Sequence, residues 1–357
     1  MEKIILAINP GSTSTKLALY KDSEVISVIN YKHEKSSLST FLRMYDQLSF
    51  RMTFVDKFLE ENKMSLDDIS LVVGRGGLLK PLKKSGTYLV NSTMIEDLKT
   101  EKYGTHASNL GAIMAYEVAK KIGQNAYIVD PVIVDEMDNI AKVTGLKEIE
   151  KICIFHALNQ KSIAKKYAND IGKKYEELNI IVAHLGGGIS VGWHKLGKVV
   201  DVNNALGGEG PFSPERSGTL PALQLVELVL KNKLTYEELR KMIVTKGGLT
   251  SYLGTNDGVE INRRIEAGSK EDLFYLEAMA YQIAKEIGSL YFASCGEAKT
   301  VILTGGLAYL TRFTDMICNY LNNIVKVEIY PGENEMESLV HGVLRVVDEI
   351  EDVNIYS

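Results

Sequence analysis

Cysteine is nearly absent: Cys153, Cys295 and Cys318 are the three in 357 residues, and they are scattered. That spacing gives neither a disulfide framework nor a metal cluster, and it fits a reducing, cytoplasmic setting. Long hydrophobic runs are missing too. The longest apolar stretches reach five or six residues, as from Ile4 to Ile8, against the roughly 20 that a membrane span needs. Ahead of Asn9-Pro10-Gly11 two charges precede only five apolar residues, too few for a signal-peptide core, so a soluble protein without a leader is expected. Neither charge dominates, with 41 basic against 46 acidic residues, a net charge of −5 and no block of one sign. Nucleic acid and anionic membranes are therefore not expected as partners, which leaves small molecules and other subunits. Arginine is scarce, nine residues against 32 lysines, with none between Arg75 and Arg216. An arginine inside a glycine-rich loop then implies work that a lysine cannot do.

What is present is α/β patterning. Hydrophobic residues make up 45% and charged residues 24% of the chain, an ordinary globular composition, and the length argues for two domains. Short apolar runs predict strands at 4–8, 17–20, 25–29, 71–73, 88–90, 127–129, 180–183, 190–193, 199–202, 301–303 and 325–330. Helical periodicity predicts helices over 38–61, 109–122, 156–171, 222–231, 236–244, 273–293, 309–321 and 336–349. No Pro/Ser-rich linker marks a boundary. An internal repeat does: Ile4-Ile5-Leu6-Ala7 with its following hydroxyl-rich turn and two strands matches Ile180-Ile181-Val182-Ala183 with Gly186-Gly187-Gly188 and two further strands, about half a chain later. A duplicated domain is expected, divided at 1–178 and 179–357, with a cleft between the copies and the C-terminal helix able to return to the first.

Candidate sites fall at the ends of these strands. Gly11, Ser12 and Ser14 form a turn whose backbone N–H groups and hydroxyls can meet an anion. Asn9 offers an oxygen for hydrated Mg²⁺ and Lys16 a point charge for phosphate. No Walker A order or G-x-G-x-x-G fingerprint is present. His184 leads into Gly186, Gly187 and Gly188, which permit close backbone approach by a polyphosphate. Gly305, Gly306 and Leu307 form a third glycine turn where an adenosine could lie. Arg75 and Arg216 each adjoin a glycine-containing turn and could grip a small anion bidentately. Asp130 and Glu335 are strand-end and loop carboxylates able to hold Mg²⁺, and His156 lies beside a loop of functional character.

This ordered set of loops resembles the acetokinase family, a relative of sugar kinases, chaperone ATPases and actin. The resemblance rests on Asn9-x-Gly11-Ser12-x-Ser14-x-Lys16, His184-Leu185-Gly186-Gly187-Gly188, Arg216-Ser217-Gly218 and Thr304-Gly305-Gly306, and it spans essentially the whole chain. It implies an α/β fold of duplicated ribonuclease H-like, actin-like ATPase domains with an interdomain cleft. It further implies ATP or ADP as co-substrate, Mg²⁺, and a short-chain carboxylate accepting phosphate to form an acyl phosphate. Gly187, where acetate kinases tend to carry Asn, favours the butyrate branch, with acetate, propionate or branched-chain acids as alternatives. By the same resemblance Asn9 and Glu335 (or Glu337) face the metal, and Lys16 with residues 184–188 the phosphates. Gly305 to Leu307 and Asp257 would face the nucleotide, and Arg75 the carboxylate. Asp130 would be the acidic active-site residue, and His156 and Arg216 would stabilise the transition state. The family's Arg two residues after Asp257 is here Val259. A homo-oligomer is expected. The rival readings are a non-catalytic nucleotide switch and a sugar kinase using Asp130 as base.

Overall fold

The computed structural model describes residues 2–322 and 324–357. They form two compact units, one of residues up to Val134 together with Asn334–Ser357, the other of Asp135–Glu333.

In the first unit β1 (Ile4–Gly11), β2 (Ser14–Lys21) and β3 (Glu24–Lys32) form an antiparallel meander. β4 (Leu71–Arg75) pairs parallel with β1, and β6 (Ala126–Val129) parallel with β4. β5 (Thr87–Leu89) and the C-terminal β12 (Asn354–Ile355) extend the sheet, giving the order β12-β5-β6-β4-β1-β2-β3. Near-continuous apolar runs such as Ile5 to Ile8 suit the central strands, because both faces of a parallel core are covered. The helix Asn109–Lys121 comes backbone to backbone with β4: a Cβ on Gly74 would strike the Gly111 carbonyl, and one on Gly111 the Arg75 carbonyl. The helix Glu335–Val347 packs against β6 at Gly342, where a Cβ would run into Val129.

The second unit repeats the plan. β7 (Asn179–Leu185), β8 (Ile189–Lys195) and β9 (Lys198–Val202) form the meander. β10 (Thr300–Gly305) lies parallel to β7 and β11 (Lys326–Pro331) parallel to β10, in the order β11-β10-β7-β8-β9. The series β3-β2-β1-β4-β6 and β9-β8-β7-β10-β11 are the same arrangement made twice, the duplicated ribonuclease H-like plan of the actin-like ATPases. Alternation along β7 sends Ile180 and Val182 to a cluster with Ile163 and Tyr167, and Ile181 and Ala183 to one with Met279 and Ile283.

One expectation needs correction. The helix expected from Leu38 begins at Leu48 (Leu48–Glu61). Ahead of it the Ser39 and Thr40 hydroxyls donate to the Ser36 and Ser37 carbonyls, and such local bonds compete with helix propagation. The sequence also gave no sign of β12, of Ser92–Lys99 capped by Asn91, or of Gly258–Glu266. The helices Ala222–Asn232 and Tyr236–Val244 form as expected but bury no residue, and Leu223, Leu230 and Tyr236 are 76, 71 and 74% exposed.

Candidate active site

In the first unit the β1–β2 register sets Asn9 opposite Lys16, with Gly11 opposite Ser14 closing the turn at Ser12-Thr13. Cross-strand partners share a face, so the polar ends of Asn9 and Lys16 lie together. At the first residue of its helix, Glu335 accepts from Asn9 Nδ2 at 2.5 Å and pairs with Arg75 Nη1 from the end of β4. Burial pushes the Glu335 carboxyl up, but the Arg75 guanidinium, the hydrogen bonds from Arg75 and Asn9 and the charge of Lys16 outweigh it and hold it below the usual range. Four of the expected residues therefore converge. Glu335 fills this place, whereas the charge of Glu337 acts on Tyr20. Asp130 sits apart from the four, buried just past β6 with φ +38°, where its carboxylate accepts from Gly86 N at 2.6 Å.

Among the described residues no three His, Cys, Asp or Glu side chains converge as a metal cage. The Glu335 carboxylate and the Asn9 amide oxygen are hard donors of the kind that suits Mg²⁺, which keeps several waters and takes substrate phosphates in place of protein ligands. The donor set fits that ion.

The β1–β2 hairpin turn rests on a residue absent from the sequence-based expectations. Arg51 is fully buried in its helix and donates to the Ser14 carbonyl at 2.6 Å, to Thr15 Oγ1 at 3.1 Å and to the Ser12 carbonyl at 3.4 Å, while Gln47 holds it from one turn before. Burial pushes its pKa down to about 10. Scarcity of arginine is the signal the sequence carries for it, but no glycine flanks Arg51.

In the second unit the His156 and His184 rings stack, with centroids 3.9 Å apart and planes at 14°. His184 faces Ser190 across the β7–β8 pair, and His156 caps the helix Ala157–Asp170. His184 Nδ1 lies 2.7 Å from Asn159 Oδ1, and its Nε2 is 3.7 Å from Glu333 Oε1. A Cβ on Gly186 would press on that same Nε2 at 2.9 Å. At the far end of the turn a Cβ on Gly188 would collide with the Arg216 guanidinium, so glycine here allows the side chain to lie flat on the backbone. Burial lowers the Arg216 pKa, with the neighbouring Glu215 charge opposing. Its Nη1 donates to the Ala205 carbonyl, but its buried Nε has no hydrogen-bond partner among the described residues. Ser213 Oγ ties this segment to the Gly187 carbonyl at 2.6 Å. A buried, cationic, unsatisfied donor on a triglycine turn has the chemistry to receive an anion.

Gly305, with φ +94°, lies so close to Leu185 that any side chain would strike its backbone, and Gly306 opens onto free space. Leu307 packs on Gly258, just after Asp257, whose carboxylate caps the helix by accepting from Val259 N at 2.9 Å and Glu260 N at 3.2 Å. Val259 itself is exposed.

A model of the acetokinase family matches residues 149–334. "Butyrate kinase 2" of Clostridium acetobutylicum is 47% identical over 352 residues, covering 99% of each chain. Among solved structures the chain is similar to the acetate kinase of Porphyromonas gingivalis, with a TM-score of 0.77, 18% identity and coverage of 96% of this chain and 99% of that one. A propionate kinase of Francisella tularensis gives a TM-score of 0.76, 19% identity and coverage of 95% and 98%. These likenesses agree with the doubled sheet plan and the glycine turns, and the chain belongs to the acetokinase family.

Proposed function

We propose that this carboxylate kinase transfers the γ-phosphoryl group of ATP directly to butyrate, giving butyryl phosphate and ADP, and runs readily in reverse. The observation that carries the reading is Arg216, a buried guanidinium whose Nε has no partner among the described residues, on the turn that His184 also contacts. The acceptor choice is supported by the full-length likeness to a butyrate kinase.

A fatty acid, like a side-chain carboxyl of pKa about 4, is ionised at neutral pH, so its oxygen needs no general base. What it needs is charge management. In this reading Arg75 binds the carboxylate, and Lys16 with the backbone of Gly11, Ser12, Ser14 and Gly186 to Gly188 binds phosphate oxygens. As charge builds on the equatorial oxygens, Arg216, His156 and His184 stabilise it. The adenosine lies against Gly305 to Leu307, with Asp257 holding the adjoining helix end. Mg²⁺ bound by Asn9 and Glu335 would neutralise phosphate charge. Asp130 orients water or the hydrated ion and is not a nucleophile. The cytoplasm is the proposed location. A homo-oligomer is supported by the unburied apolar helices Ala222–Asn232 and Tyr236–Val244.

The test is ATP formation from ADP with acetyl, propionyl, butyryl and isobutyryl phosphates. Butyryl phosphate is expected to give the highest kcat/KM. A higher value with another acyl group reassigns the acceptor, and no ATP from any of them sinks the kinase reading in favour of a nucleotide switch.

A further inference from the structure

The helix that His156 caps carries Asn159 and Gln160 three and four residues on, so all three lie on one face toward β7 and β8. Gln160 is fully buried. Its Nε2 donates to the Ser190 carbonyl at 3.0 Å, and a carbonyl can only accept, so the orientation of the amide is fixed. The same Nε2 lies 2.7 Å from Ser190 Oγ. Oε1 then faces His194 Nε2 at 3.0 Å, which must carry a proton, and the Tyr175 hydroxyl donates to His194 Nδ1 at 2.7 Å. Burial, and secondarily the Lys161 charge, keeps His194 neutral, consistent with that assignment.

Direction then passes outward. Ser190 Oγ accepts from Gln160 Nε2 and, more weakly, from the His156 backbone N–H at 3.4 Å. Its single proton has His156 Nδ1, 2.8 Å away, as its acceptor among the described residues. His184 is set the opposite way. Asn159 Nδ2 donates to the Glu333 carbonyl at 3.0 Å, so its Oδ1 accepts from His184 Nδ1–H.

We propose that Ser190 and Gln160 are positioning residues that hold His156 as the Nε2–H tautomer, while Asn159 holds the stacked His184 as Nδ1–H. His156 then offers an Nε2–H to a phosphoryl oxygen while uncharged. His184 Nε2, with Glu333 Oε1 3.7 Å away, can donate only after taking up a proton. Two rings stacked face to face thus perform different work without both being cationic, an arrangement their mutual repulsion would oppose. The proposal rests on the phosphoryl-transfer reading for its consequence, but not for its tautomers.

The tautomers are read by ¹⁵N-edited histidine NMR of the ligand-free full chain, assigned with His156→Gln and His184→Gln. Opposite tautomers are expected, His156 protonated at Nε2 and His184 at Nδ1. The same tautomer in both rings, or Nδ1–H in His156, overturns the proposal whatever the activity. In Ser190→Ala the His156 Nδ1 resonance should move toward that of an unbonded lone pair. kcat for ATP formation should fall about tenfold or more, the equivalent of one lost hydrogen bond, with KM for ADP within twofold. Ser190→Thr, which keeps the hydroxyl, should restore both signals. An unchanged kcat in Ser190→Ala overturns the positioning role. A parent chain with opposite tautomers but no ATP formation upholds the tautomers and removes the function proposed above.

Discussion

In the proposed mechanism Arg216 is the single residue on which most of the chemistry turns. Its guanidinium lies flat on Gly188, donating to the Ala205 carbonyl, with Nε unpartnered among the described residues. A lysine keeps the charge but not the fork, so Arg216→Lys should lower kcat by on the order of 10³ with KM for ADP changed only a few-fold. Steady-state kinetics on ADP and butyryl phosphate check this, and activity within a few-fold of the parent makes Arg216 structural. Glu335 carries a pH signature. Its carboxyl is held below the usual range in the folded chain, chiefly by Arg75 against the cost of burial. A depressed folded pKa adds stability that is fully present above the ordinary glutamate value of about 4.3 and is lost as pH falls below it through the folded value. Thermal melts from pH 6 to pH 3 should therefore drop less steeply for Glu335→Gln than for the parent. Parallel curves would mean that the Arg75 pair contributes nothing to this linkage.

At the scale of elements, the two hairpin turns are supported from beneath in different ways: Arg51 holds carbonyls of the first, and Ser213 a carbonyl of the second. Arg51→Met keeps bulk but leaves the Ser14 carbonyl and Thr15 hydroxyl without their donor. A stability loss of about 1–3 kcal/mol is expected, with a rise in KM for ADP and acyl phosphate larger than the fall in kcat. Urea melts with kinetics on the same variant separate the two effects. Strands and turns were legible because they depend on near-neighbour pattern, as the repeat at Ile4 and Ile180 shows. Asn9, Lys16 and the glycine turns were legible for the same reason. Arg51 was not, since its partners lie 36 to 39 residues away and nothing local distinguishes it from a solvated arginine. The Ser190–Gln160 link was equally silent, because its meaning lies in which atom donates. β12 is two residues long and exists because β5 offers an edge, which no propensity records. The helix start at Leu48 was not legible, because in sequence Ser39 and Thr40 are ordinary polar positions and only the fold shows their hydroxyls bonding back to the chain.

At the scale of the molecule, apolar surface on Ala222–Asn232 and Tyr236–Val244 calls for a covering. If a second copy supplies it, Leu223→Glu with Leu230→Glu should halve or further reduce the mass seen by light scattering while leaving the melting temperature of the chain's own core within a few degrees. An unchanged mass assigns the oligomer, if any, to another face. The return of the chain to its first unit has a consequence for how the protein is made. The first sheet gains its covering helix and its edge strand β12 only from residues after Glu333. Tyr356, nearly the last residue, is buried there with its hydroxyl donating to Asp97 at 2.8 Å. At about 5–20 residues per second, the roughly two hundred residues of the second unit occupy a ribosome for some 10–40 s. Throughout that interval the emerged first segment keeps an open β5 edge and an uncovered apolar face. The nascent chain, rather than the finished enzyme, is then the form most exposed to aggregation, and it is there that a holding chaperone would find its substrate.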